Sequence, residues 1–254
     1  MQWLVPSRSK RQVVLSEVQS VVALSGEEGH PPQSPPERGC PVFKFLLAPF
    51  LAVYTLFSPN PNLFDVVDDV SKSVVMITGE RDVIQQGHPV TVTYTCTGFV
   101  YENIPTVTIT LDKVITAEHC IGRNLRVNGT PAIVLAINES QDLALILTDT
   151  GDMAPVRLRL TPVEDDEQVN AIGYGFGNRE PIITFHTVLR NGISPHPTMP
   201  LGVLYRGRFI GGMSGGPVFD RSGKVVGIIQ RSSEVDPVGF GVDTKTITQF
   251  LESL

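Results

Sequence analysis

Three short segments carry residue types that together could perform nucleophilic catalysis. They read ITAEHC at residues 115–120, QDLALI at 141–146 and GGMSGGPV at 211–218. A serine hydroxyl is a weak nucleophile at neutral pH and needs an adjacent base, which an imidazole held by a carboxylate can provide. The segments therefore offer His119 as a base, Asp142 as its orienting acid and Ser214 as a nucleophile.

Each segment alone also has an ordinary structural explanation. A histidine after a strand is commonly a satisfied structural residue, and an aspartate before an apolar run commonly caps a strand. The glycines around Ser214 suit a tight turn, since glycine adopts positive φ without a steric penalty. In the order His, Asp, Ser, however, the three segments resemble the active site of trypsin-like (chymotrypsin-fold) serine proteases over about residues 70–250.

The resemblance implies roles for backbone groups and cysteines as well. In that family the N–H groups at the positions of Gly212 and Ser214 form the oxyanion hole. The segment that starts Cys96-Thr97-Gly98 is similar to the family's Cys-Gly-Gly strand, and the family joins the positions of Cys96 and Cys120 in a disulfide. The alternative interpretation is two buried free thiols.

The resemblance also implies where a protein or peptide substrate would bind. The segment at 225–230 is similar to the family's substrate-pairing strand, which makes Ile229, Gln230 and Arg231 candidate binding residues. An extended peptide can add to such a strand through main-chain hydrogen bonds. Arg208 stands six residues before Ser214, at the family's pocket base, where it could face an acidic side chain or be solvated.

One departure from the family concerns activation. Met213 stands where trypsin-like zymogens have an aspartate that pairs with a new N-terminal amine. No activation sequence of the Arg-Ile-Val-Gly-Gly kind precedes the segments. The chain is therefore expected to be closer to bacterial non-zymogen proteases than to animal digestive enzymes.

A scaffold of short strands is expected to position these residues. The chain has 254 residues, 41% of them hydrophobic, with 23 Gly and 20 Pro, which favours a turn-rich, all-β fold over wholesale disorder. With the resemblance, we expect two six-stranded antiparallel β-barrels packed together and a short C-terminal helix. The predicted protease domain covers 63–254, with barrels at about 63–150 and 151–243 and the helix at 244–254.

The hydrophobic pattern predicts individual strands and turns. Residues 89–96 and 106–111 alternate apolar and polar side chains, which is typical of half-buried strands. Turn signals include Glu80-Arg81-Asp82 and Gly175-Phe176-Gly177-Asn178. Further strand candidates lie at 72–78, 113–117, 124–127, 131–137, 143–148, 155–160, 168–174, 181–189, 202–207, 224–230 and 239–243.

The N-terminal part differs in composition from the rest. Residues 1–41 are rich in Pro, Ser, Glu and Gly and are predicted to be mostly disordered. Residues 42–62 contain the apolar run 45–57 between Lys44 and a polar turn, a layout typical of a signal peptide, which predicts a secreted, periplasmic or membrane-tethered protein facing an oxidising compartment. A kinked buried or interfacial helix is the alternative.

Several function classes are disfavoured. The formal net charge is −6 without a basic face, so no nucleic-acid partner is expected. His186 and His196 lack accompanying metal-ligating residues, and we expect neither metal nor cofactor. The main rival is a catalytically inactive binding module on a protease fold. An α/β-hydrolase esterase would place its histidine after the serine, and here His119 precedes Ser214.

Overall fold

The computed structural model describes residues 62–151, 153–194 and 200–254. The predicted leader 1–41, the apolar run 45–57 and His196 lie outside these residues. In the described part, no helix has the length and apolar character needed to cross a membrane. The elements are α1 (Leu63–Ser71), β1 (Val74–Gln85), β2 (His88–Pro105), β3 (Thr110–Thr116), β4 (Arg123–Val127), β5 (Thr130–Pro131), β6 (Ile133–Asn138), β7 (Leu143–Thr148), β8 (Gln168–Gly173), β9 (Ile182–Ile193), β10 (Gly202–Arg206), β11 (Pro217–Phe219), β12 (Val225–Ser232), β13 (Val238–Asp243) and α2 (Thr244–Glu252).

The first sheet is built around a long hairpin. Its seven strands follow the order β5-β4-β1-β2-β3-β7-β6, with antiparallel pairing throughout. Strands β1 and β2 pair continuously from Val74↔Phe99 to Gln85↔His88. The two-residue connection Gln86-Gly87 has positive φ at both positions, which suits a tight hairpin turn. The turn expected at 80–82 is therefore wrong, because the strand continues through it.

The second sheet is a closed six-stranded barrel in the order β10-β13-β12-β11-β8-β9. The expected all-β fold is confirmed, but the first sheet is an open, curled half-barrel instead of a closed six-stranded one. Its edge strands β5 and β6 are consecutive in the chain and are not hydrogen-bonded to each other. At the connection between them, the N–H of Ala132 donates to the carbonyl of Leu125 instead.

Apolar side chains from both sheets form a shared core that continues into α2. The expected C-terminal helix is confirmed, and the side chain of Asp243 caps it by accepting the N–H of Thr246 at 2.8 Å. This packing brings the ends of β3 and β7 close to β12. The buried members of the shared core are Phe99, Ile115, Leu143, Leu145, Val225, Ile228, Val242, Ile247 and Phe250.

Other expectations are wrong. The start of the domain forms α1 instead of a β-like run, because Asn62 caps it by accepting the N–H of Phe64 and its apolar side chains Val66 and Val70 are buried. Residues 106–109 form a turn in which the hydroxyl of Thr106 accepts the N–H of Ile109, so β3 begins only afterwards. Residues 155–160 contribute a single β-bridge.

Candidate active site

His119 lies in a single 3-10 turn, Glu118–Cys120, directly after β3. A disulfide joins Cys120 to Cys96 on β2, as the resemblance implied, so the turn is tied covalently to the neighbouring strand. The side chain of His119 is 32% exposed, which leaves part of the imidazole accessible. The sulfurs used in the disulfide cannot also act as thiolate ligands for a metal ion.

Asp142 faces His119 from the turn before β7. Its carboxylate is nearly buried and accepts the backbone N–H of His119 at 3.0 Å. The Nδ1 atom of His119 lies 3.0 Å from one carboxylate oxygen and 2.8 Å from the other. Because a carboxylate only accepts hydrogen bonds, Nδ1 carries the ring proton and Nε2 is left as the basic nitrogen.

Gln230 on β12 fixes the turn that carries Asp142. Its side-chain amide donates to the carbonyls of Gln141 and Asp142 at 2.8 and 3.1 Å. The register between β12 and β13 shifts between Ile229 and Arg231, and this bulge releases the main chain of Gln230 from the ladder. The carbonyl of Gln230 instead accepts the hydroxyl of Ser214 at 3.3 Å.

Ser214 and His119 occupy the same small region. A ring nitrogen of His119 lies within 4.8 Å of the sulfur of Cys120, and that sulfur is 3.5 Å from the carbonyl oxygen of Ser214. Within the described residues, no hydrogen bond joins the Ser214 hydroxyl to His119. The hydroxyl points at Gln230 instead, so it would have to rotate to reach the imidazole.

The loop that ends at Ser214, residues 211–214, turns its carbonyls toward neighbouring donors. The carbonyl of Gly211 accepts the N–H of Phe176 at 2.7 Å, and that of Met213 accepts the N–H of Gly216 at 2.9 Å. Phe176 donates from a backbone with φ of 57°, which is unfavourable for a bulky residue.

Thr97 on β2 holds the remaining two carbonyls of this loop. Its hydroxyl donates to the carbonyl of Gly212 at 2.8 Å, and its N–H donates to that of Ser214 at 2.9 Å. In the described part of the chain, the N–H groups of Gly212 and Ser214 have no acceptor of their own. This arrangement suits an oxyanion hole, which needs two preorganised donors free to meet a developing negative charge.

The predicted substrate-binding residues occupy different environments. The guanidinium of Arg208 donates to the carbonyls of Glu234 and Val235 at 3.1 and 3.0 Å, so it fastens a neighbouring loop. The side chain of Ile229 is buried in the barrel core, and its N–H and carbonyl are hydrogen-bonded to the main chain of Gly216 and Gly215 at 2.9 and 2.7 Å. Arg231 is exposed at the bulge.

His186 is part of the barrel interior. Its ring is buried and packs against Phe209 with ring centroids 4.5 Å apart. Nδ1 donates to the carbonyl of Arg206 at 3.2 Å, and Nε2 accepts the hydroxyl of Thr184 at 2.7 Å. Burial lowers the pKa of His186, and the hydrogen bond to the Arg206 carbonyl offsets this only in part.

Comparison with known proteins gives one family and many similar folds. Residues 96–228 match the model of a trypsin-like peptidase domain. The active form of the Rv3671c protease from M. tuberculosis superposes with a TM-score of 0.62 at 24% identity, over 77% of this chain and 87% of that one. The sequence matches no curated protein.

Two further solved structures share the fold at lower identity. The HtrA-type protease AlgWS227A, bound to a decapeptide, has a TM-score of 0.62 at 16% identity, covering 76% of this chain and 66% of that one. The serine endoprotease from Yersinia pestis has a TM-score of 0.60 at 16% identity, covering 77% of this chain and 67% of that one.

Proposed function

The chain is a serine endopeptidase of the trypsin-like peptidase family, and from that premise we propose that it hydrolyses peptide bonds through an acyl-enzyme formed on Ser214. His119 takes the proton of Ser214 and then gives it to the leaving amine. Asp142 keeps the imidazole in the required tautomer and stabilises its protonated form. The observation that carries the proposal is the double contact of Asp142 with the N–H and Nδ1 of His119.

Substrate binding brings the nucleophile into position. An extended peptide that adds along β12 brings one of its N–H groups to the carbonyl of Gln230. That N–H displaces the hydroxyl of Ser214 from the same carbonyl, and the hydroxyl turns toward Nε2 of His119. The contact between the two residues is thus made in the complex, as is common for catalytic hydrogen bonds.

The N–H groups of Gly212 and Ser214 stabilise the tetrahedral intermediate. As Ser214 bonds to the carbonyl carbon, negative charge moves to the carbonyl oxygen. Two fixed donors in a partly desolvated site lower the energy of that charge without reorganising. The four carbonyls of the loop, all hydrogen-bonded elsewhere, support this assignment.

The Ser214→Ala variant tests the proposed function. We expect it to lose hydrolysis of labelled casein and covalent labelling by a fluorophosphonate, because both require the hydroxyl. The matched control is Ser222→Ala, which removes a hydroxyl bound to Asp220 on the turn between β11 and β12 and should leave both activities intact. Unchanged labelling of Ser214→Ala would refute the mechanism.

A catalytically inactive binding module is the second candidate. The observation that favours it is the hydroxyl of Ser214 donating to Gln230 instead of His119. In such a protein the folded chain would bind a peptide at β12 without reacting with fluorophosphonate. Labelling of the wild-type chain therefore separates the two functions directly.

The disulfide suggests the compartment in which the domain acts. A bond between Cys96 and Cys120 persists in oxidising surroundings, so we extend the proposal to a domain, at about 63–254, that works outside the cytoplasm. Export or tethering through 45–57 is part of this proposal. Mapping the N-terminus of the mature protein separates the two routes, since a cleaved leader removes all peptides of 1–41 whereas an uncleaved tether keeps residues 45–57.

A further inference from the structure

The hydroxyl of Thr97 is a buried polar group that connects the first sheet to the loop carrying Ser214. Thr97 is fully buried on β2, and its hydroxyl both donates to the carbonyl of Gly212 and accepts the N–H of Tyr174, at 2.8 and 2.9 Å. Its own carbonyl accepts the hydroxyl of Thr116 at 2.7 Å. Its N–H donates to the carbonyl of Ser214, so all polar atoms of Thr97 are engaged. Of its four hydrogen bonds, the three to Gly212, Ser214 and Tyr174 reach the second barrel.

The direction of these bonds is fixed by chemistry. A backbone N–H can only donate, so the hydroxyl must accept from Tyr174. The single proton of the hydroxyl is then left for the carbonyl of Gly212, which is held against Thr97 by this hydrogen bond. Two residues after Tyr174, the N–H of Phe176 holds the carbonyl of Gly211. Segment 174–176 is therefore linked to two successive carbonyls of the loop, to one directly and to the other through the hydroxyl of Thr97.

Close packing fixes the position of Thr97. An added Cβ at Gly173 would lie 2.7 Å from its hydroxyl oxygen, and one at Gly216 would lie 3.0 Å from its methyl carbon. A Cβ at Gly215 would lie 2.2 Å from its carbonyl oxygen. Because two glycines approach the side chain and a third approaches the main chain this closely, Thr97 is confined to one place, as a positioning group requires.

We propose that Thr97 is a positioning residue whose hydroxyl holds the 211–214 loop so that the N–H groups of Gly212 and Ser214 face the reacting carbonyl oxygen. Without the hydroxyl, the carbonyl of Gly212 and the N–H of Tyr174 both lose their partners. Buried backbone groups are almost always paired, so the loop turns to satisfy them and its donors leave their alignment. This inference rests on the proposed function.

The test compares Thr97→Val, which keeps the shape and removes the hydroxyl, with Thr97→Ser, which keeps the hydroxyl. The rate of fluorophosphonate labelling is measured against pH, together with the folded fraction. We expect Thr97→Val to lower the plateau about ten- to hundredfold, somewhat less than deletion of an oxyanion donor. The midpoint of the pH profile should stay unchanged, because His119 and Asp142 are untouched, and Thr97→Ser should label within about threefold of wild type.

Thr148→Val is the matched control, since it removes another buried threonine hydroxyl, bound to the carbonyl of Pro131, from the same sheet. It should label normally. The inference is overturned if Thr97→Val labels as fast as wild type per folded molecule, or if Thr97→Ser is equally impaired. If Thr97→Val does not fold, the smaller Thr97→Ala is compared with Thr97→Ser by the same criterion. If the wild-type chain itself is not labelled, the proposed function fails and the inference with it.

Discussion

Replacing Asp142 with asparagine would show how the carboxylate sets the tautomer of His119. One carboxylate oxygen accepts both the backbone N–H and Nδ1 of His119, and the other accepts Nδ1 alone. An amide has only one accepting oxygen, and the backbone N–H of His119 requires it. The amide NH₂ then faces Nδ1, which must accept, so the ring proton moves to Nε2 and the base is blocked.

The expected magnitude follows from this reversal. An imidazole with its proton on Nε2 cannot take the proton of Ser214, and an equivalent change in a catalytic triad costs about 10⁴ in kcat. Stability should change much less, because a charged hydrogen bond is replaced by a neutral one, a difference of about 1 kcal/mol. Asp142→Asn is therefore expected to be folded and nearly inactive.

Two measurements on Asp142→Asn check the reasoning. The labelling rate with fluorophosphonate reports catalytic competence, and the ¹⁵N chemical shifts of the His119 ring report which nitrogen carries the proton. Asp112→Asn is the control, because Asp112 is a fully buried carboxylate at the opposite end of β3. Labelling of Asp142→Asn within tenfold of wild type, or a ring that keeps its proton on Nδ1, would refute the argument.

Two further predictions concern stability. Because burial lowers the pKa of His186, the unfolded chain takes up a proton at higher pH than the folded chain, so the free energy of unfolding should decrease as pH falls below about 6.5 and level off above it. Urea titrations of His186→Gln should lack this slope, and those of the exposed His88→Gln should keep it. If the slope survives in His186→Gln, a group other than His186 causes the pH dependence. Replacing Cys96 and Cys120 with alanine should lower the free energy of unfolding by about 3 kcal/mol, since the disulfide closes a loop between residues 24 apart. Denaturation with and without dithiothreitol checks this, and a wild-type midpoint insensitive to the reductant would contradict it.

Long-range contacts explain where the strand predictions fail. The charges of Glu80-Arg81-Asp82 indicate a turn, but Arg81 stacks over the ring of Tyr94 at 4.1 Å and Asp82 pairs with Arg123 from β4. These partners are distant in sequence, so local composition cannot reveal them. By contrast, the turn at 106–109 follows from a short-range bond of the Thr106 hydroxyl, a competing signal that alternation alone overlooks.

The side chains of the candidate site were easier to predict than its backbone. The pairing of His119 with Asp142 depends on residue types, which the sequence displays. The orientation of the Gly212 carbonyl depends on a threonine 115 positions earlier, and only the folded sheets bring the two together. Arg208 shows the opposite case, because its place before Ser214 predicts a pocket base whereas its guanidinium binds the loop carbonyls of Glu234 and Val235.

Met213 gives the nucleophile loop a support without charge. Its side chain is fully buried in the core of the second barrel, beside Val218 and Ile229. A thioether does not titrate, so the attraction that this side chain adds comes from apolar burial and changes with temperature and denaturant instead of with the protonation of an amine. Alkaline solutions that would release an ion-paired loop are therefore expected to leave this side chain in place.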